Sequence, residues 1–241
     1  MGLRTMLGLK RRKTLRLKSK ANSVALAEAL LADARPYHPL GDYVPASLKR
    51  PDKAFHERWK YVSAALEKFK VESFCDLGCA EGYYVRGAAR EHGIFAVGID
   101  NDPQRLRWAT AVSALDDDWS CGFLCIDLTS QNVRNLPTFD AIACMSLMHH
   151  VIHHRGFDEA RAMLTEIARK TRKCMIFDMG GPDEIENDWA ASLSMLTGDV
   201  DRNITAMLAE CGFMKITAVG RSAGYNSAAE RTMFVAEPSS S

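Results

Sequence analysis

The chain has 241 residues, 47% of them hydrophobic, which is enough for one full core and predicts one domain with an N-terminal extension. No segment stays apolar over the length that a bilayer requires, and the seven cysteines form no C-x-x-C pair, so we expect neither a membrane span nor a zinc site. The formal net charge of +1 hides an asymmetry: residues 1–20 carry eight basic and no acidic side chains, whereas the remainder carries 23 basic and 30 acidic residues.

The first 51 residues are predicted to form a basic arm and a helical extension, ahead of a domain over residues 52–241. Glu28 interrupts the apolar stretch behind the basic run, which argues against a signal peptide and favours a cytoplasmic protein. Residues 1–20 are predicted either as a disordered tail or as a basic amphipathic helix on the inner membrane surface. A helix is predicted over 22–34, and the turn-rich residues 37–45 are expected to fold over the mouth of a ligand site.

Strands alternate with helices behind this extension. The spacing of apolar residues predicts helices at 52–69, 82–91, 102–114, 157–171 and 200–211, and strands at 73–77, 94–99, 121–126, 139–146, 173–179, 213–220 and 231–236. This alternation is typical of an α/β fold with a doubly wound, mostly parallel seven-stranded sheet and helices on both faces. The last two strands have no helix between them, so strand 7 is expected to insert antiparallel.

The most informative motif is Phe74-Cys-Asp-Leu-Gly-Cys-Ala-Glu-Gly82, which is followed by Val97-Gly-Ile-Asp100. An apolar strand ends in a glycine turn at the start of a helix, and the next strand ends on a carboxylate that can bind a ribose diol. The dinucleotide fingerprint G-x-G-x-x-G is absent, because Ala80 occupies its second glycine position and acidic Glu81 would repel a phosphate. These features favour a cationic nucleoside, and S-adenosylmethionine fits them.

Four segments resemble, in order and spacing, the successive motifs of class I S-adenosylmethionine-dependent methyltransferases: Asp76–Gly82, Gly98–Asp100, Cys125–Asp127 and Phe139–Ser146. The resemblance covers roughly residues 58–237. It implies a Rossmann-like methyltransferase fold with strand order 3-2-1-4-5-7-6. It also implies S-adenosyl-L-methionine as cofactor and a ligand site beyond the carboxyl ends of the strands.

The resemblance further implies which residues bind the cofactor. Asp100 is expected to bind both ribose hydroxyls, with Asn101 beside the adenine. Asp127 is expected to accept from the adenine amino group. Arg58 is expected to pair with the cofactor carboxylate, or else to be an ordinary surface cation. The remaining cofactor residues in this prediction belong to the glycine loop, to the segment behind strand 3 and to the end of strand 4: Asp76, Gly78, Cys79, Glu81, Gly82, Leu128 and Met145.

Four histidines follow strand 4, where the methyl acceptor is expected: His149, His150, His153 and His154. Methyl transfer needs an aligned acceptor and, for a hydroxyl nucleophile, a group that removes its proton. Three interpretations stay open. His149 or His150 acts as a general base or orients the substrate, or the pair only shapes the pocket, or the i, i+4 pairs bind a metal. No third ligand is evident, so we predict no metal site, and we expect His153 to contact the substrate.

The segment Ser146–His153, with Gly156–Glu159 behind it, resembles the methyltransferase part of bacterial O-antigen polysaccharide chain-terminating enzymes and, more distantly, RNA 5′-phosphate-capping methyltransferases. In both groups an arginine at the start of the last strand helps to hold the acceptor. The resemblance implies this role for Arg231, and a strand-edge cation is the alternative. The same acceptor pocket is expected to include Asp178, Trp189, Tyr225 and Asn226.

The favoured hypothesis is an O-methyltransferase that acts on a glycan, a glycolipid or a sugar phosphate, kept near the membrane by the basic arm. An RNA methyltransferase acting on tRNA or a 5′-phosphate is the alternative, disfavoured because the domain is acidic. A small-molecule methyltransferase acting on a natural product or lipid is a second alternative. A catalytically silent fold that serves as a binding partner is a third, and the intact cofactor motifs argue against it.

Overall fold

The structure is a computed structural model that describes residues 25, 29–31, 34, 36–40, 53–116, 120–224 and 229–239. The predicted basic arm over 1–20 lies outside the described residues, as do most of the predicted helix at 22–34 and the predicted site residues Tyr225 and Asn226. Within the part of the chain that is described, no helix combines the length and apolarity needed to cross a bilayer.

The described residues from 53 onward contain seven strands and seven α-helices. The strands are β1 (Ser73–Leu77), β2 (Phe95–Asp100), β3 (Cys121–Cys125), β4 (Phe139–Met145), β5 (Thr171–Asp178), β6 (Phe213–Ala223) and β7 (Glu230–Pro238). The helices are α1 (Lys53–Lys68), α2 (Tyr83–His92), α3 (Pro103–Leu115), α4 (Ser130–Arg134), α5 (Met148–Arg155), α6 (Phe157–Lys170) and α7 (Val200–Glu210), with a 3-10 helix at Ala190–Leu196.

The predicted sheet is confirmed. Its strand order is β3-β2-β1-β4-β5-β7-β6, and β7 lies antiparallel to both β5 and β6. The other neighbours are parallel, with Asp76 opposite Gly98 and Met145 opposite Asp178. Parallel strands bring their carboxyl ends to one edge of the sheet, so residues from β1, β2, β4 and β5 meet there.

Successive side chains of the central strands enter two different cores. On one face Cys75 and Ile142 pack with α6 and α7, while on the other Phe74 and Ala141 pack with α1 and α2. This is the period of two that a strand buried on both faces requires. Burial on both faces explains why β1 and β4 are mostly apolar, with Ser73, Asp76 and Asp140 as their polar residues.

Three short helices were absent from the predicted elements: α4, α5 and the 3-10 helix. The first two have weak sequence signals, because α4 has five residues and α5 contains four histidines. By contrast, the predicted start of the helix behind β2 is confirmed: Asp102 caps α3 by accepting from the Gln104 and Arg105 backbone N–H groups, and Pro103 occupies its first turn.

The glycine loop between β1 and α2 depends on Gly82, whose φ is +69° and whose missing Cβ position lies 2.4 Å from the Phe123 ring. We expect Gly82→Ala to lower the free energy of unfolding by about 2–4 kcal/mol, since strain and overlap act together. Gly93 is a matched control, because its φ is +65° and its Cβ position has nothing within 4 Å. Gly93→Ala should lose only about 1–2 kcal/mol. Equal losses in urea unfolding would contradict the close approach at Gly82.

Candidate active site

A cavity of about 620 Å³ lies at the carboxyl ends of the strands, where the sheet topology brings the acidic residues together. One side of its lining comes from the ends of β1, β2 and β3 and includes Asp76, Gly78, Asp100 and Asp127. The other side comes from the segments behind β4 and β5 and includes His150 and Trp189. One cavity therefore joins the predicted cofactor residues to part of the predicted acceptor residues.

Asp100 holds the glycine loop in place. Its Oδ2 accepts from the Ala80 backbone N–H at 2.8 Å, and its Oδ1 accepts from the Asp102 backbone N–H at 2.9 Å. Ala80 itself has φ +44°, a left-handed conformation that such a contact helps to stabilise. Since a carboxylate has about four lone-pair sites, Asp100 can still accept from a diol while it holds the loop.

Asp76 is a buried carboxyl whose Oδ2 has no hydrogen-bond partner among the described residues. Burial, and then the nearby Asp100 charge, raise the pKa of Asp76 well above its usual range. A buried acceptor without a donor is costly, and a cationic donor in the cavity would satisfy it and restore the ionised form.

The segment behind β3 contributes Asp127 and Leu128 to the cavity, beside Asn101. Asp127 is half-exposed and accepts two hydrogen bonds from Arg155, at 2.8 and 2.6 Å. A ligand amino group at Asp127 would therefore share this carboxylate with Arg155. The adenine role of Asp127 stays a prediction.

Glu81, Cys79 and Gly82 belong to the glycine loop but lie outside the cavity lining. Glu81 is fully buried, and its two carboxylate oxygens accept from the Tyr37 and His38 backbone N–H groups at 2.9 and 2.8 Å. The expectation that Glu81 faces the ligand and repels phosphate is therefore corrected: this carboxylate fixes the N-terminal segment against the loop.

Arg58 is buried and lines the cavity, so it is not the surface cation of the alternative prediction. Its guanidinium lies 3.2 Å from Asp178 and donates to Ser222, Ser146 and the Ala223 carbonyl. Burial alone would lower the pKa of Arg58, but the Asp178 charge reverses that effect and the net pKa is raised. Arg58 is thus a permanent cation at the cavity wall.

Ser146, which follows β4 with φ +52°, joins the two sides of the site. Its hydroxyl accepts from Arg58 at 3.1 Å and from Arg231 at 3.0 Å, and donates to Asp178 at 3.2 Å. Its backbone N–H also donates to Asp178 Oδ1 at 2.6 Å. Asp178 is fully buried and does not line the cavity, so the structure gives it a supporting position where a substrate contact was predicted.

Arg231 forms a bidentate, buried ion pair with Glu184, with both N···O distances 2.7 Å. Its third nitrogen donates to Ser146, and the guanidinium lies 5.6 Å from the centre of the Trp189 ring. These contacts give Arg231 a counter-ion and use one donor on each of its three nitrogens. Arg231 lines the cavity, but its charge is already paired with Glu184. This geometry therefore does not favour the role that the resemblance implied, which was to hold an oxyanion of the acceptor.

The adjacent histidines differ in what they can do. His149 is buried against Trp189, and its Nδ1 accepts from the Gly180 backbone N–H at 3.0 Å. Burial, and then His150, lower the pKa of His149 well below its usual value, so the ring is neutral with its proton on Nε2. In that tautomer it has no lone pair left for an acceptor proton. His150 is partly exposed and lines the cavity, so it is the histidine for which the general-base prediction stays open.

His153 bonds to the Ser192 hydroxyl at 2.9 Å and lies outside the cavity lining, whereas His154 lies within it. The predicted substrate contact of His153 therefore has no counterpart at the cavity. Across the described residues, no group of three His, Cys, Asp or Glu side chains is arranged to hold a metal ion.

Sequence reasoning gave no site role to several individual cavity residues, although residues 37–45 were expected at the mouth of the site: His38, Tyr84, Ser146 and Asn187. The Asn187 side-chain nitrogen is buried without a hydrogen-bond partner among the described residues. Glu184 was also missed, since its function depends on Arg231, which lies 47 positions further along the chain. Ser146 has an unusual backbone conformation with positive φ, but this feature is visible in the structure and not in the sequence.

Residues 74–173, which contain β1 to β4 and the start of β5, match the family model described as a methyltransferase domain. Over these residues, which make up less than half of the chain, the protein is similar to methyltransferase domains.

Curated relatives align with parts of the methyltransferase domain. Over 103 residues the chain is 27% identical to the O-antigen chain terminator bifunctional methyltransferase/kinase WbdD of Escherichia coli, an alignment that covers 42% of this chain and 14% of WbdD. Over 76 residues it is 32% identical to the ubiquinone biosynthesis O-methyltransferase of Neisseria meningitidis, covering 32% of each chain. The chain thus spans less than a third of the length of each curated relative.

Solved structures show the same fold. A WbdD structure superposes with a TM-score of 0.67 at 20% identity, covering 89% of this chain and 41% of WbdD. The N-terminal domain of EvdMO1, crystallised in the presence of SAH and D-fucose, superposes with a TM-score of 0.59 at 21% identity, covering 92% of this chain and 96% of that domain.

The cavity of the methyltransferase domain fits S-adenosylmethionine. The unpartnered, buried Asp76 oxygen supports this fit, because the ammonium group of the methionine part would supply the donor that this oxygen lacks. Gly78 also fits, because a Cβ there would meet the Leu147 side chain at 3.3 Å and crowd the loop.

Proposed function

We propose that the chain is an S-adenosylmethionine-dependent O-methyltransferase whose acceptor is a hydroxyl group of a sugar or a glycan. The observation that carries this proposal is the single cavity lined by Asp76 and Asp100 on one side and by His150 and Asn187 on the other. Methyl transfer requires the donor and the acceptor side by side with their reacting atoms in line, and one continuous cavity has room on its two sides for both.

In this proposal the strand ends hold the cofactor, as the sequence predicted. Asp76 would accept from its ammonium group, and Asp100 from its ribose hydroxyls. Asn101, Asp127 and Leu128 would surround the adenine, while Met145 at the end of β4 completes the wall. When bound, S-adenosylmethionine supplies an electrophilic methyl group on a sulfonium leaving group. The protein's own task is then to align an acceptor oxygen and remove its proton.

A neutral hydroxyl suits the acceptor side better than a phosphate. Arg231, the cation expected to hold an oxyanion, is neutralised by Glu184. The other groups on this side are His150 and the unpartnered Asn187 amide. Burial, and then the neighbouring His154, lower the pKa of His150. Two of the compared proteins are named with carbohydrates, an O-antigen and D-fucose, which supports a sugar.

His150 is the proposed general base. A hydroxyl oxygen is a weak nucleophile, so its proton must leave as the bond to the methyl carbon forms. Burial, then the neighbouring His154 and Arg231, lower the pKa of His150, and Asp188 opposes this effect. The ring is therefore neutral at pH 7 and can take the proton.

The direct test incubates the full chain with methyl-labelled S-adenosylmethionine and fractions of the source cells: glycan, lipid, RNA and small molecules. Label in the glycan fraction, or in a nucleotide sugar among the small molecules, supports the proposal. Label in RNA, or in a lipid or other small molecule, would replace it with the corresponding alternative. Binding of the cofactor without transfer to any fraction would favour a silent fold. A role for the basic arm over 1–20 at a membrane stays a prediction and would show as retention on anionic vesicles.

His150→Ala is expected to lower kcat about a hundredfold while the affinity for the cofactor stays nearly unchanged, because the base contacts the acceptor. In the wild type, kcat/KM should fall on acidification below pH 6.5 as His150 becomes protonated, since its folded pKa lies below that value. The variant should lack this acidic limb. His56, an exposed histidine on α1, is the control, and His56→Ala should behave as wild type. An unchanged kcat in His150→Ala would remove the base assignment.

A further inference from the structure

We infer that the segment Pro36–Leu40 forms part of the cofactor site and that His38 accepts a hydrogen bond from the ammonium group of the methionine part of S-adenosylmethionine. This inference rests on the proposed function, because it concerns the same cofactor. It adds a binding residue from outside the methyltransferase domain match, which begins at residue 74.

The segment is held against the glycine loop by buried polar contacts. Both oxygens of Glu81 accept backbone N–H groups of the segment, from Tyr37 and His38. The Arg86 guanidinium, also buried, donates to the Pro39 carbonyl at 3.3 Å. A carboxylate that accepts two backbone N–H groups makes charge-assisted bonds, which are about twice as strong as neutral ones.

Apolar packing holds the far end of the same segment. Leu40 is 1% exposed and belongs to a separate core cluster with Leu31 and Ala34. That cluster packs on Ala111 and Val112 of α3, the helix behind Asp100. The segment is therefore fixed at both ends to the two elements that carry the predicted ribose and methionine contacts.

His38 lies in the cavity wall with a nitrogen that has no partner. The ring is 4% exposed, its centroid is 5.0 Å from that of Phe55 and 5.6 Å from that of Tyr84, and it lines the cavity. Nδ1 has no hydrogen bond among the described residues, and its 3.8 Å separation from Glu81 Oε2 is too long for one. The aromatic contacts set the orientation of the ring.

The protonation state leaves that nitrogen as an acceptor. Burial, and then the charges of Arg86, Arg105 and Arg58, lower the pKa of His38 well below its usual value, although a hydrogen bond to the Cys79 backbone opposes the shift. The ring is therefore neutral, and a neutral imidazole that donates through one nitrogen keeps a lone pair on the other.

His38 Nδ1 and Asp76 Oδ2 thus have the same requirement. Each is a buried acceptor without a donor among the described residues, and both residues line one cavity. An ammonium group has three donors and can satisfy more than one acceptor, whereas the donors of the adenosine part are already assigned to Asp100 and Asp127 in the proposed binding mode. The methionine end of the cofactor is the part of the ligand that matches this pair.

The test compares two ligands by calorimetry: S-adenosylhomocysteine, which carries the amino-acid tail, and methylthioadenosine, which lacks it. In His38→Phe we expect S-adenosylhomocysteine to bind roughly tenfold to a hundredfold more weakly, as for loss of one hydrogen bond to a charged group, while methylthioadenosine binds as to wild type. His38→Asn keeps an acceptor near the Nδ1 position and should recover part of the lost affinity.

The outcomes separate the inference from the proposed function. If His38→Phe binds both ligands as wild type does, or loses affinity for both equally, the ammonium contact is wrong. A wild-type chain that binds neither ligand would contradict the proposed function itself. Thermal unfolding of both variants, expected within a few degrees of wild type, shows that a lost affinity does not come from an unfolded domain.

Discussion

Asp100→Ala is expected to weaken the binding of S-adenosylhomocysteine about a thousandfold or more. The substitution removes the acceptor proposed for the ribose hydroxyls, and a hydrogen bond to a charged group contributes about 1.5–3 kcal/mol. It also leaves the Ala80 and Asp102 backbone N–H groups without their acceptor, each at a cost of about 1–3 kcal/mol. Ala80 would lose a contact that helps to hold its left-handed conformation, so the loop itself should loosen.

Calorimetry on the full chain measures this effect, and urea unfolding separates affinity from stability. Asp158, an exposed acid in the first turn of α6 and outside the cavity lining, is the matched control. Asp158→Ala should bind the ligand as wild type does. An Asp100→Ala chain that stays folded and keeps its affinity within threefold would remove Asp100 from the proposed ribose site.

Glu184→Ala is expected to lower the free energy of unfolding by about 3–5 kcal/mol, because it leaves the buried Arg231 guanidinium without its counter-ion. The Trp189 face and the Ser146 hydroxyl remain as contacts of Arg231, but neither neutralises it. Arg231 is the second residue of β7, which lies between β5 and β6, so the loss should weaken the sheet beside the acceptor side of the cavity.

The exposed ion pair of Arg161 with Glu210, at 2.9 Å, provides the control. Glu210→Ala should change the free energy of unfolding by less than about 1 kcal/mol, as is usual for a solvated pair. The double variant Glu184→Leu with Arg231→Met replaces both charges and should recover most of the stability lost in Glu184→Ala. A single variant as stable as wild type in urea unfolding would show that Arg231 is solvated and available to a substrate.

The sequence allowed the sheet and its carboxyl edge to be predicted because both follow from local patterns. Apolar runs of five to eight residues, bounded by glycine and acidic residues, marked β1, β2, β4 and β5 within two residues of their observed bounds. The strand order came with the family resemblance, and the antiparallel β7 from the missing helix before it. Each of these signals lies within a few residues of the element that it predicts.

The roles of Glu81 and Arg231 could not be predicted in this way, because their partners are distant in sequence. Glu81 accepts from residues 43 and 44 positions before it, and Arg231 pairs with an acid 47 positions before it. The place of Glu81 in the glycine loop and the family resemblance at Arg231 suggested a ligand contact for each. The histidines show the same limit: His149 and His150 are adjacent, yet only the Gly180 N–H, 31 residues away, decides which of them keeps a lone pair for chemistry.

The position of β7 affects how this protein folds during its synthesis. Among the seven strands of this sheet it comes last in chain order, yet it occupies an interior place in the sheet and supplies Arg231 to the cavity wall. While the nascent chain still lacks Glu230–Pro238, the outer edge of β5 has no partner strand and exposes Ile176 and Phe177, which pair with β7 in the finished sheet. During synthesis this edge of β5 therefore stays unpaired, and prone to aggregation, until the residues of β7 are available. We expect the nascent chain to bind chaperones most strongly just before that point.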